Sequence, residues 1–161
     1  MNQKKFYTDD NKYELHICQD ENTHIINMHL YKNNDCSKIL FDLILKPSWF
    51  IKSRYCVPKD QEDYQNMFVK GEYYQDTWTK HDKSITESLG KIIYNLILEN
   101  KTELPFIKTI YSTTLKLSYQ KFESDIFTHA SIHFWMLQLK NFPANYSYDS
   151  EKGKFKFVVN E

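Results

Sequence analysis

The sequence predicts an α/β domain, a mixed, mostly antiparallel, twisted sheet with helices packed on it. Through the first half, apolar and polar residues alternate, which is the period of half-buried strands. From Ile85 the spacing changes to three and four residues, the stripe of an amphipathic helix, and a strand-like run and a second helical stripe follow. A length of 161 residues suits one core, so 1–161 is read as a single domain.

Tyr13-Glu14-Leu15-His16-Ile17 alternates and predicts the first strand. In the next, His24 to Tyr31, Ile26, Met28 and Leu30 share one side while Asn27 and His29 share the other. Asn33-Asn34-Asp35 is a turn signal, and Ser37 to Leu45 follows with Ile39, Phe41, Leu43 and Leu45 on one face, completing a meander. Pro47 stops that strand, and Trp49-Phe50-Ile51 reads as a buried connector. Asp60 to Tyr64 reads as a loop or short helix. Met67 to Thr79, rich in aromatic and β-branched residues, predicts a fourth strand with a bulge at Gly71.

Ile85, Leu89, Ile92, Ile93, Leu96 and Ile97 predict a helix from Ile85 to Asn100, with Ser84 as N-cap and Glu87 closing a capping box. Phe106 to Tyr111, after Pro105, is a strand by composition and completes a βαβ unit. Ile126, Ala130, Phe134 and Leu137 predict a second helix from Asp125 to Lys140, ended by Asn141-Phe142-Pro143. A hairpin around Asp149-Ser150-Glu151-Lys152-Gly153 closes the chain.

Composition excludes several classes. Lys plus Arg equal Asp plus Glu at 21 each, so the chain lacks the positive excess that neutralises phosphates, and nucleic acid is not the expected partner. No uncharged apolar run approaches the roughly 18 residues of a membrane span, and Tyr7-Thr8-Asp9-Asp10 is polar where a secretory signal needs apolar residues. No membrane association is expected, and the expected compartment is the cytoplasm. Cys18, Cys36 and Cys56 lack C-x-x-C spacing. The histidine pairs His24 with His29 and His129 with His133 lack a completing carboxylate, so no metal is expected. Aromatic residues reach 16%, which points either to a thick core or to a binding surface.

The element order, with three local runs, resembles the GNAT acetyltransferase family over roughly residues 65 to 159. Ser88-Leu89-Gly90-Lys91-Ile92-Ile93-Tyr94 is similar to the start of the family's pyrophosphate helix. Thr109-Ile110-Tyr111-Ser112-Thr113-Thr114 resembles the strand after it, and Ala130 to Leu139, with Phe134-Trp135, resembles its A-x-x-F-[YW]-x-x-L helix.

The resemblance implies acetyl-CoA as cofactor, held between the fourth and fifth strands by backbone N–H groups of Ser88, Leu89, Gly90 and Lys91. Against the family's [RQ]-x-x-G-x-[GA] loop, Ile85 replaces Arg or Gln and Ser88 replaces the first glycine. Glu87 sets a negative charge near the phosphates, which Lys83 or Lys91 would offset. The resemblance further implies a carboxylate base, for which Glu72 and Asp76 are the candidates, and a Tyr acid on the last helix. Trp135 stands at that position, so Ser131, Tyr111 or Tyr94 would have to substitute.

Two functions follow as expectations. One is N-acylation of an amine on a small molecule or protein. The other is a catalytically inactive GNAT-like module that binds a host protein through an aromatic-rich surface, with Tyr73, Tyr74 and Trp78 as its candidates and Tyr55 and Tyr64 as neighbours. In its small size and its Lys, Asn and Tyr content the chain is similar to phage or mobile-element accessory proteins, including inhibitors of host systems.

Overall fold

The computed structural model describes residues 2–48, 70–112, 129–150 and 154–161, and for residues 2 and 129–133 the backbone alone. The predicted connector Trp49-Phe50-Ile51, the segment Asp60 to Tyr64 and Ile126 lie outside the described residues. Among the described residues eight strands and two longer helices follow in order: β1 Asn2–Tyr7, β2 Tyr13–Gln19, β3 Ile26–Lys32, β4 Phe41–Pro47, β5 Glu72–Lys80, α1 Leu89–Glu99, β6 Thr109–Tyr111, α2 His129–Asn141, β7 Tyr146–Asp149 and β8 Lys154–Val158. They form one mixed sheet in the order β1-β2-β3-β4-β5-β6-β8-β7. Among the described strands only β5 and β6 pair in parallel, as the crossover through α1 requires.

Alternation fixes the register of the first half. Leu15 and Ile17 of β2 pair with Leu30 and Met28 of β3, which pair in turn with Phe41 and Leu43 of β4, all buried. A slip of one residue would send Glu14 and His16 into that core, so alternative registers are strongly disfavoured. Leu89, Ile93, Leu96 and Ile97 of α1 join the same core, as the stripe predicts.

Five expectations are corrected. β1 was not expected, because Phe6 is its one buried apolar side chain; it forms by pairing with β2, Phe6 against Leu15. The third predicted strand begins at Phe41 rather than Ser37, and Leu40, not Ile39, is buried there. The bulge lies at Asp76, not Gly71: Leu45 pairs with Gln75 and Ile44 with Thr77, which leaves Asp76 as the extra residue. Gly71 instead turns into β5 at φ +87, where a Cβ would come within 2.6 Å of the Lys108 side chain. The capping box does not form. Ser84 donates to Asp82 Oδ1 at 2.5 Å and Glu87 pairs with Lys12, so α1 starts four residues late with Ser88 as its N-cap.

The fifth correction concerns α2 and the proposed aromatic surface. Phe134 and Trp135 of α2 are buried, but Leu137 is 40% exposed. Tyr73 and Tyr74 are 1% and 3% exposed, because β5 is a central strand covered on both faces, and Trp78 is half-buried. Tyr55 and Tyr64 lie outside the described residues. Among the described residues most aromatic side chains are core: Tyr94, Trp135, Phe142, Tyr146, Phe155 and Phe157 belong to the cluster that joins α1, α2, β7 and β8. Among the described residues no helix is long and apolar enough to cross a membrane.

Candidate functional site

The βαβ unit directs attention to where β5 and β6 part. Their pairing runs from Glu72 opposite Thr109 to Tyr74 opposite Tyr111. Beyond Tyr74, β5 continues for six residues to Lys80 with no partner on that side among the described residues, and the chain then enters α1. The resemblance locates a cofactor between these strands, against the first turn of α1.

That first turn is built as a helix start without a side-chain cap. Ser88 adopts an extended conformation as N-cap, makes no side-chain hydrogen bond to the helix, and accepts Ile92 N–H through its carbonyl at 3.2 Å. Leu89 and Gly90 are buried, whereas Lys91 is exposed. The first turn holds no acidic residue, and Lys12 of the β1–β2 turn engages Glu87. Lys80 Nζ donates to the Ile85 carbonyl and ties the incoming loop to the end of β5.

Aromatic rings occupy the space beside Gly90. A Cβ on Gly90 would lie 2.5 Å from Phe134 Cε2, so the glycine lets the α2 ring rest on the α1 backbone. Phe134 stacks on Trp78 of β5 at 4.7 Å between centroids, and Trp78 in turn stacks on Phe41 at 6.1 Å. Tyr94 and Trp135 close the other side of the Phe134 ring at 6.1 and 5.8 Å. The result is a continuous ladder from β4 across β5 to both helices.

The five expected catalytic residues occupy different settings. Glu72 sits half-buried at the start of β5. Asp76, at the bulge, forms an ion pair with Lys46 of β4 at 3.1 Å. Tyr111 is buried in β6, with Lys154 Nζ 4.9 Å from its ring centroid. Ser131 falls on α2, and its side chain lies outside what is described. At about 3.3 Å per strand residue, Glu72 is roughly 20 Å from Trp78 along β5, so it is far from the first turn of α1. Tyr94 is fully buried and donates to Gln75 Oε1 at 2.6 Å; burial pushes its hydroxyl well above the usual phenol range, which makes it a weaker acid.

Trp78, Phe134 and Gly90 each appear in the sequence as core or motif residues. Only the fold brings the ring of one helix onto the glycine of the other.

A comparison with protein-family models finds no match to this chain. A comparison with curated proteins likewise finds none.

Proposed function

We propose that this chain is a catalytically inactive GNAT-like domain that acts by binding another protein. The observation that carries this reading is Phe134 lying over Gly90. A pyrophosphate needs bare backbone N–H groups at a helix N-terminus and open space around that turn. Here that space is filled by a ring held between Trp78, Tyr94 and Trp135. Moving it out would expose a buried Phe at about 1.5–3 kcal/mol and break aromatic pairs worth about 0.5–1.5 kcal/mol each. A cost of about 3 kcal/mol weakens a ligand by roughly 100-fold, at 1.4 kcal/mol per tenfold. The residues present therefore do not suit acetyl-CoA.

The parallel β5–β6 pair bridged by α1 supports the GNAT-like half of the reading. For the binding half, the exposed large apolar residues of the C-terminal region are the candidates. Met136 and Leu137 on α2 are 52% and 40% exposed, and Tyr148 is 46% exposed on the edge strand β7, which α2 packs beside. They replace Tyr73 and Tyr74 as the surface on which a host protein would dock.

Calorimetric titration with acetyl-CoA tests the reading. Absence of heat at millimolar ligand is the expected outcome, and micromolar dissociation would overturn it in favour of the acyltransferase. Capture of partners with the wild type and with Met136→Lys plus Leu137→Lys tests the surface. Equal recovery of every partner by both would count against it.

A further inference from the structure

The outward face of β2 carries a second group of residues that the cleft does not use. Glu14 and His16 are two apart on this strand, so both point away from Leu15 and Ile17 and out of the core. Cys36 reaches them from the turn between β3 and β4. His16 Nε2 lies 3.0 Å from Glu14 Oε2, Cys36 Sγ lies 3.4 Å from Glu14 Oε1, and Cys36 Sγ lies 3.9 Å from His16 Nε2. One ligand atom from each lies within 4.8 Å of the other two.

From these distances we propose that Glu14, His16 and Cys36 form a binding site for a zinc-class divalent cation, with the fourth position left to water. Around a tetrahedral zinc with bonds of about 2.0–2.3 Å, neighbouring ligand atoms stand about 3.3–3.6 Å apart. The separations of 3.0 and 3.4 Å run to the two different oxygens of Glu14; with a single carboxylate oxygen the three ligand atoms lie within 4.8 Å of one another, so they close on an ion with side-chain shifts of at most about 1.2 Å. One imidazole, one thiolate and one carboxylate are a donor set of mixed softness that suits zinc rather than calcium or magnesium. The carboxylate and thiolate together neutralise the dication. As the metal–sulfur bond forms, the Cys36 thiol proton passes to solvent.

The surroundings hold the ligands in place. The backbone N–H of Asn34 donates to Glu14 Oε1 at 3.1 Å and orients the carboxylate. The His16 ring packs on Tyr31 at 4.6 Å between centroids. The turn that presents Cys36 is pinned by the left-handed Asn34 at φ 64, by Asn33 N–H donating to the Lys12 carbonyl at 3.0 Å, and by Asp35 Oδ1 accepting from Ser37 N–H at 3.2 Å. Glu14 is 5% exposed while Cys36 is exposed, so an ion can enter from the Cys36 side. The site stands on the sheet face opposite the apolar core and is independent of whether the β5–β6 cleft takes a cofactor.

The test uses the full chain, reduced and freed of metal, titrated with Zn²⁺ against a chromophoric chelator and separately with Co²⁺ followed by absorbance. The wild type is expected to bind one Zn²⁺ with sub-micromolar dissociation and to give a thiolate-to-cobalt charge-transfer band. Cys36→Ser should abolish that band and, like His16→Gln, weaken Zn²⁺ on the order of 100-fold. Cys18→Ser should change neither. Both ligand variants replace groups on the outer face, and their metal-free unfolding curves check that they fold. The proposal is overturned if the wild type binds no Zn²⁺ below millimolar, if the band survives Cys36→Ser in a folded variant, or if Cys18→Ser removes it.

Discussion

Gly90→Ala is the perturbation that separates a glycine kept for packing from one kept for phosphate. The added Cβ would sit 2.5 Å from Phe134 Cε2, whereas carbon atoms rest at about 3.5–4.0 Å, so the ring must retreat by about 1 Å. Trp78, Trp135 and Tyr94 lie against it with centroids 4.7, 5.8 and 6.1 Å away, so retreat toward any of these rings is resisted. Overpacking of this kind costs about 1–3 kcal/mol. Against this stands the gain from replacing glycine in a helix, up to about 1 kcal/mol in the interior and less at the second residue of α1. The expected net is a loss of about 1–2 kcal/mol, read by urea unfolding, with a fall in Tm of about 2–4 °C per kcal/mol. Phe134→Leu removes the ring atoms that clash. In that background Gly90→Ala should cost nothing or stabilise slightly, giving a coupling of about 1 kcal/mol or more in the double-mutant cycle. Stabilisation by Gly90→Ala in the wild type, or strictly additive costs, would refute the packing argument.

Stability should also fall in alkali. Burial raises the Tyr73 hydroxyl from 10.0 to about 12, against a smaller lowering by the hydrogen bond from Gln19, so its contribution is complete below pH 10 and is lost as pH rises through 12. That interval corresponds to at most about 2.7 kcal/mol, and Tyr73→Phe should flatten the decline between those values in unfolding curves by about that much; a parallel decline would contradict the assignment. Asn160 Nδ2 donates to the Lys101, Leu104 and Ile107 carbonyls at 3.2, 3.0 and 2.8 Å and ties the C-terminus to the α1–β6 connection, so Asn160→Ala should cost about 1–3 kcal/mol in chemical denaturation. Glu87 is engaged by Lys12 rather than aimed at the first turn of α1, so Glu87→Gln should not confer acetyl-CoA binding in calorimetry.

The strands β2, β3 and β4 were legible because their period survives in the structure with the same residues inward, and α1 was legible from its stripe although its start was not. Helix onset depended on where two polar side chains went: Ser84 to Asp82 and Glu87 to Lys12, the second a partner 75 residues away. β1 carries almost no apolar signal and exists by pairing. Aromatic burial misled the surface reading, since Tyr73 and Tyr74 look amphipathic in sequence and become core only because β5 has a strand on each side and cover on both faces. Leu137 failed as a core residue for the converse reason, because α2 turns Phe134, Trp135 and Gln138 inward. The Glu14–His16–Cys36 group was illegible because sequence spacing brings out the histidine pairs instead. The third ligand arrives by way of a hairpin and a turn, and only the i, i+2 spacing on β2 hinted at the first two.

The proposed function requires the space beside Gly90 to belong to Phe134 and not to a cofactor. The most direct measurement is a residue-resolved NMR titration with acetyl-CoA to millimolar concentration, following the Gly90 and Lys91 amides and the Trp78 indole N–H. These signals are expected to stay in place. Saturable shifts at Gly90, Lys91 and Trp78 with micromolar dissociation would contradict it.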